Sequence, residues 1–336
     1  MIIKLPSLQL FDPYNRHLNY LRISITDRCN LRCIYCNPKI ESQKLHHNDI
    51  LRYEEILRIV RIGVAMGITK VRVTGGEPLV RKGCYDFLSQ LARIEGLEDL
   101  ALTTNGVLLK NNIDRIIDAG VRRLNISLDT LNRKKYEYIT GEDAFDQVWQ
   151  GIMAAHQKGI NPIKLNVVVL SGINDEELVD FARLSIEYPF HIRFIEFMPV
   201  GPETGCQAER YLPGDQILTR LQTLGALEPL NGQGLDGPAR RWKYSGARGE
   251  IGLISPISHH FCPSCNRLRL TADGKLRTCI FSDDETDLRE ALRQGATDGQ
   301  LEDIIQQAIA RKPKEHPHQN APVPGRCRRQ MSKIGG

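Results

Sequence analysis

Three cysteines crowd one short stretch, Cys29, Cys33 and Cys36, spaced C-x3-C-x2-C. A second group, Cys262, Cys265 and Cys279, is spaced C-x2-C-x13-C. A disulfide needs two thiols and a structural zinc site needs four ligands, so two sets of three fit neither directly. A cubane 4Fe–4S cluster normally takes four cysteines, and three would leave one iron open to an outside ligand. Zinc completed by a histidine is the alternative, with His46 or His47 beside the first triad and His259 or His260 beside the second. Spacing alone leaves both open. The nine cysteines are an odd number, which excludes complete internal disulfide pairing. Cys84, Cys206 and Cys327 stand apart and read as ordinary small thiols.

Basic residues supply a second chemical signal. Arg22, Ser24 and Thr26 alternate with Ile23 and Ile25, Lys70, Arg72 and Thr74 with Val71 and Val73, and Arg123, Asn125 and Ser127 with Leu124 and Ile126. Lys164 and Asn166 oppose Leu165 and Val167 in the same way. Side chains alternate faces along a strand, so each segment is aliphatic on one face and basic or polar on the other. Parallel strands seldom leave a face bare, which disfavours an open sheet with one side in water. Helices should cover the aliphatic face, and the basic face should line a wet, positively charged interior suited to an anion. Arg267 and Arg269, just after Cys265, would share one face of a further strand and could grip phosphate.

The elements that must position these groups follow from periodicity. Strands are expected near Leu21–Thr26, Lys70–Thr74, Asp99–Thr103, Arg123–Ser127, Ile163–Val169 and Phe190–Phe197. Helices are expected between them, one beginning at Tyr53, one ending before Gly120, and one with Asn174 as N-cap. Six strand–helix alternations predict an α/β fold, a partial, open (βα)6 TIM-like barrel built by right-handed crossovers. The strand ends carry "DRC", "TGGEP", "TTNG", "SLD" and "EFMPVG", so polar and glycine-bearing turns gather at one rim, where barrels place their chemistry. The glycines of "TGGEP" would let backbone approach a ligand closely. The alternation stops near Met198. Two regions are therefore expected, residues 1–200 forming the barrel and 201–336 a smaller, irregular C-terminal region. Within the latter, "RKPKEHPHQNAPVPGR" reads as a mobile linker.

Composition bounds the classes. The 336 residues are 41% hydrophobic and 25% charged, ordinary for a globular chain. A net charge of +5 is too small to imply a nucleic-acid partner. No apolar run is long enough for a bilayer. The first residues, with Lys4, Pro6 and Asp12, lack the apolar core of a signal peptide. A cytoplasmic protein without a membrane partner is expected.

The C-x3-C-x2-C loop after a first strand, with Tyr35 before its last cysteine and "GGEP" after the second strand, resembles the radical S-adenosylmethionine superfamily. "LRISITDRCNLRCIYC", "RVTGGEPLVRKG", "LTTNG", "NISLDTLN", "RFIEFMPVG", "HHFCPSCNRLRLTADGKLRTC" and the terminal "MSKIGG" together resemble its GTP 3′,8-cyclase family, from about Tyr20 to Gly336. That resemblance implies two 4Fe–4S clusters and S-adenosylmethionine as cofactors. Cys29, Cys33 and Cys36 would hold the cluster that binds S-adenosylmethionine, with Tyr35, Gly76, Ser127 and Met198 lining the cofactor's site. Cys262, Cys265 and Cys279 would hold a second cluster that meets the guanine. Arg22, Arg72, Thr103, Lys164, Arg267 and Arg269 would contact GTP, with Lys70 and Arg193 as secondary candidates for the triphosphate. Gly335 and Gly336 match the family's terminal glycine pair, which reaches the active site. A 5′-deoxyadenosyl radical would take hydrogen from ribose C3′, and C3′ would bond to C8 as the first step of molybdenum cofactor biosynthesis. No protein nucleophile is implied. The implied partners are an electron donor and the downstream cyclic pyranopterin monophosphate synthase, and a homodimer is admitted. A zinc-stabilised nucleotide sensor and a radical enzyme of other substrate are the alternatives.

Overall fold

Alternating β-branched and polar residues, broken by glycine turns, set up a repeating strand–helix chain. The computed structural model shows how far that repeat extends. It describes residues 9–36, 44–201, 208–230, 237–316 and 327–335. Six parallel strands come first: β1 Tyr20–Ser24, β2 Lys70–Thr74, β3 Asp99–Thr104, β4 Arg123–Ser127, β5 Ile163–Val169 and β6 Phe190–Glu196. The helices among them are α1 Tyr53–Ala65, α2 Cys84–Ala92, α3 Ile113–Asp118, α4 Arg133–Thr140, α5 Phe145–Gln157 and α6 Leu178–Glu187. The expected strands are all present, β1 beginning one residue earlier, at Tyr20.

Residues beyond β6 add to both edges of the same sheet. After α7 Gly214–Gln222 come β7 Leu227–Leu230, β8 Arg240–Tyr244 and β9 Glu250–Ile254. Next are β10 Arg267–Leu270, β11 Lys275–Arg277 and β12 Thr286–Asp287, followed by α8 Leu288–Arg293, α9 Asp298–Ala310 and α10 Met331–Ile334. The strand order is β12-β11-β10-β1-β2-β3-β4-β5-β6-β9-β8-β7. β10 runs parallel to β1 and β9 parallel to β6, while the outer hairpins are antiparallel. The sheet is curved in the manner of a barrel and does not close.

One face of the sheet packs against the helices. Leu21, Ile23, Val71, Val73, Leu124, Ile126, Leu165 and Val167 share a buried cluster with Ile56 and Val60 of α1, Leu88 of α2, Ile116 of α3, Val148 and Ile152 of α5 and Phe181 of α6. Each such side chain contributes roughly 1.5–3 kcal/mol when fully buried. This face therefore fixes the register that turns the basic residues inward. Asn174 departs from its expected role. Its side chain makes no cap bond. It donates instead to the carbonyls of Asp129 and Val168 and accepts from Leu170 N–H, tying two strand ends together.

Candidate active site

The inward face is built in rungs. Arg269, Arg22 and Arg72 are register partners across β10, β1 and β2. Arg267, Tyr20, Lys70 and Asp99 form the rung below them. Further round, Thr103, Asn125, Lys164 and His191 align, as do Ser127, Asn166 and Arg193. Three arginines side by side repel one another. Burial first, and then Arg269 and Arg72 among its neighbours, hold the Arg22 guanidinium well below its ordinary range. The Arg269 guanidinium falls to about 10, through burial and then Arg267. Lys164 falls to about 6, through burial and then Arg193, Arg123, Arg72 and Lys70. Such a face is stable only with anionic compensation.

Above these rungs sits the first cysteine triad, on the loop that leaves β1. Arg32 N–H and Ile34 N–H donate to the carbonyls of Thr140 and Ile139 at 2.7 and 2.9 Å. These are last-turn carbonyls of α4, which have no partner within their own helix. Tyr35 Oη donates to Asp129 at the end of β4, at 2.6 Å. Burial raises that carboxyl to about 6. Glu77, fully buried, is raised by burial to about 7 and accepts from Leu79 N–H, Thr104 Oγ1 and Asn105 N–H. Asn105 in turn directs its amide at Cys29 Sγ, at 3.7 Å. The close approach expected of "TGGEP" is to the triad's own loop. A Cβ on Gly75 would lie 2.7 Å from Thr26 O, and one on Gly76 2.4 Å from Arg28 O.

The second triad closes the opposite side. Cys262 opens a single 3-10 turn, Cys265 N–H donates back to Cys262 O at 3.1 Å, and Cys279 follows β11. Burial pushes the thiols of Cys29, Cys33 and Cys262 up, and that of Cys36 up to about 12. Burial also raises Cys265, but Lys312 and Arg267 outweigh it, and the net direction is down. Buried and partly buried cysteines beside buried and partly buried cations fit a metal cluster, which supplies the positive charge that bare thiolates lack. Among the described residues, no three histidine, cysteine or carboxylate side chains converge on a point that could hold a single metal ion. His259 is engaged with Asp215 at 2.8 Å.

All six cysteines line one cavity of about 280 Å³. Tyr35, Gly76, Ser127 and Met198 line it too, as do Arg22, Arg72, Thr103, Arg193, Arg267 and Arg269. Lys164 and Lys70 do not. Lys70 is paired with Asp99 at 2.9 Å, and Lys164 lies among the cations behind the lining. Gly335 O accepts from Arg269 and Arg22 at 3.1 and 3.4 Å, which brings the tail to the arginine rung. Gly336 and Cys206 lie outside the described residues. Several polar atoms in the lining are buried without a hydrogen-bond partner: Tyr20 Oη, Arg72 Nε, Thr103 Oγ1, Asn166 Oδ1, Arg267 Nε and Thr278 Oγ1. Unsatisfied donors and acceptors of this kind suit a polar ligand. Asn166 is on the inward face that strand parity predicts, whereas Tyr20 and Thr278 are not among the residues the sequence singles out. Tyr20 shares the parity of Arg22, a signal present in the sequence, whereas Thr278 has none.

Comparison with known proteins agrees with both halves. Residues 23–185 match the Radical SAM superfamily and residues 190–318 match Molybdenum Cofactor Synthesis C. A protein of Moorella thermoacetica named GTP 3′,8-cyclase is 48% identical over 325 residues, covering 97% of this chain and 99% of that one. One of Thermodesulfovibrio yellowstonii with the same name is 48% identical over 327 residues, covering 97% and 99%. Among solved structures, Streptococcus suis SuiB bound to S-adenosylmethionine superposes with a TM-score of 0.62 at 15% identity, over 87% of this chain and 69% of that one. The anSMEcpe structure with bound AdoMet gives 0.51 at 14% identity, over 89% and 79%. These two likenesses are of fold.

Proposed function

The chain belongs to the GTP 3′,8-cyclase family of radical S-adenosylmethionine enzymes, and from that premise we propose that it converts GTP to 3′,8-cyclo-7,8-dihydro-GTP at the start of molybdenum cofactor biosynthesis. One observation carries the reading: two cysteine triads and a rung of arginines face a single cavity. Cys29, Cys33 and Cys36 would hold a 4Fe–4S cluster, and Cys262, Cys265 and Cys279 a second. With S-adenosylmethionine bound, the first cluster supplies the one-electron reduction that generates a hydrogen-abstracting carbon radical.

The chain's own residues bind, orient and shield. Arg22, Arg72, Arg267 and Arg269 offer charge-assisted donors to phosphate oxygens, and Thr103 offers a hydroxyl. Arg193 adds a further cation to the lining, with Lys70 and Lys164 set behind it. Tyr35, Gly76, Ser127 and Met198 frame the cofactor's side. Holding GTP at both its phosphate and its base keeps ribose C3′ facing the cofactor, so that C3′ can then bond to C8 of the same molecule. Gly335, at φ 78°, brings backbone rather than side chain against Ser24 and Thr74.

The product leaves for a cyclic pyranopterin monophosphate synthase, and an electron donor must reach the clusters. No described helix is long and apolar enough to cross a membrane. The mechanism is tested with GTP deuterated at ribose C3′. Deuterium is expected in the 5′-deoxyadenosine formed, and its absence would place hydrogen removal elsewhere.

A further inference from the structure

Lys312 is nearly fully buried, 3% exposed, at the end of α9. It is the second residue of the stretch whose composition reads as a mobile linker, yet its ammonium donates to three acceptors: Thr278 O, Arg267 O at 3.1 Å and Cys265 Sγ at 3.7 Å. A lysine ammonium has three protons, and each finds an acceptor. None of the three acceptors is a carboxylate. Burying such a charge is costly unless an anion compensates it.

The acceptors bracket the second triad. One is Cys265 itself, one is the residue before Cys279, and one is the first residue of β10. The neighbouring residues are also fastened down. Arg16, ion-paired with Asp12, donates to Pro313 O at 2.8 Å, Lys314 O at 3.0 Å and Cys262 O at 2.9 Å. His316 Nε2 lies 2.6 Å from Pro256 O, and its backbone N–H donates to Cys262. Residues 312–316 thus form a strap across all three limbs of the triad.

We infer that Lys312 is a positioning residue for the second cluster, joining the two distant limbs of its ligand set and setting a fixed positive charge against its thiolates. This rests on the reading of Cys262, Cys265 and Cys279 as cluster ligands. Positive charge beside an anionic cluster favours its reduced form and raises its potential. A purely structural staple would hold the limbs without that dependence on charge.

The test uses the full chain with Cys29, Cys33 and Cys36 changed to alanine, so that only the second cluster gives a signal. It carries Lys312, Lys312→Met or Lys312→Arg, and each protein is reconstituted anaerobically and titrated by electron paramagnetic resonance. The Met variant is expected to load fewer irons and to titrate at a more negative potential, and the Arg variant to recover the potential. Full loading of the Met variant at the parent's potential would overturn the inference. Lys312→Met in the chain with both triads intact should keep the first cluster, and loss from both triads would also overturn it by assigning Lys312 to the fold at large. If the Lys312 parent itself loads no iron, the two-cluster reading falls and takes this inference with it, an outcome visible in that arm alone.

Discussion

Arg267 shows how much a single residue carries. It is partly buried, with its guanidinium carbon over the ring of Phe261, 4.9 Å from the centroid, and its Nε is buried without a hydrogen-bond partner. A charge-assisted bond to phosphate is worth roughly 1.5–3 kcal/mol. Arg267→Ala should therefore weaken GTP binding by about 10- to 100-fold, as measured by calorimetry, with the iron content unchanged, and equal affinity would remove Arg267 from the site. Lys164 makes a pH prediction. Burial and then its cationic neighbours push it down to about 6, while an unfolded lysine keeps its proton to about 10.4. Between those values the unfolded chain binds the extra proton, so the nucleotide-free protein gains stability as pH rises through that window. Lys164→Gln should raise the melting temperature at pH 7, with the advantage shrinking toward pH 10. A difference independent of pH would contradict the assignment. The inward cations were legible because strand parity is strict. Tyr20 shares that parity but lies one residue before the strand that the sequence predicts.

At the scale of elements, the cluster loop depends on partners that no local pattern announces. The strand ends and their glycines were visible in the sequence. The use of α4 carbonyls to anchor Arg32 and Ile34 was not, since it joins segments more than a hundred residues apart. Asn174 looked like a helix cap because cap and loop tie use the same side-chain chemistry. Residues 311–316 looked like a linker because their lysines and prolines resemble one, although Lys312 and His316 are buried. Gly76→Ala tests the loop at its tightest point. The new Cβ would sit 2.4 Å from Arg28 O, which the backbone cannot relieve without shifting the loop. About four of the irons should be lost on reconstitution, with the second cluster retained. Normal iron content in this variant would show that the loop can move aside.

For the whole molecule, one sheet carries both sets of chemistry. The alternation ended at β6 in the sequence, and nothing in the irregular region that follows shows that β9 and β10 extend opposite edges of that sheet. Strand pairing over such distances is decided by tertiary packing rather than by local pattern. Its consequence is functional: β10 sets Arg267 and Arg269 in register with Tyr20 and Arg22, so the second triad faces the first. Anaerobic reconstitution should accordingly load about eight irons per chain, and a plateau near four would leave one triad without a cluster. The central claim is that GTP is the molecule held between them. The most direct measurement is 5′-deoxyadenosine formation by the reconstituted, dithionite-reduced enzyme with S-adenosylmethionine, with and without GTP. GTP should strongly stimulate its formation, whereas the same rate with and without GTP would contradict the account.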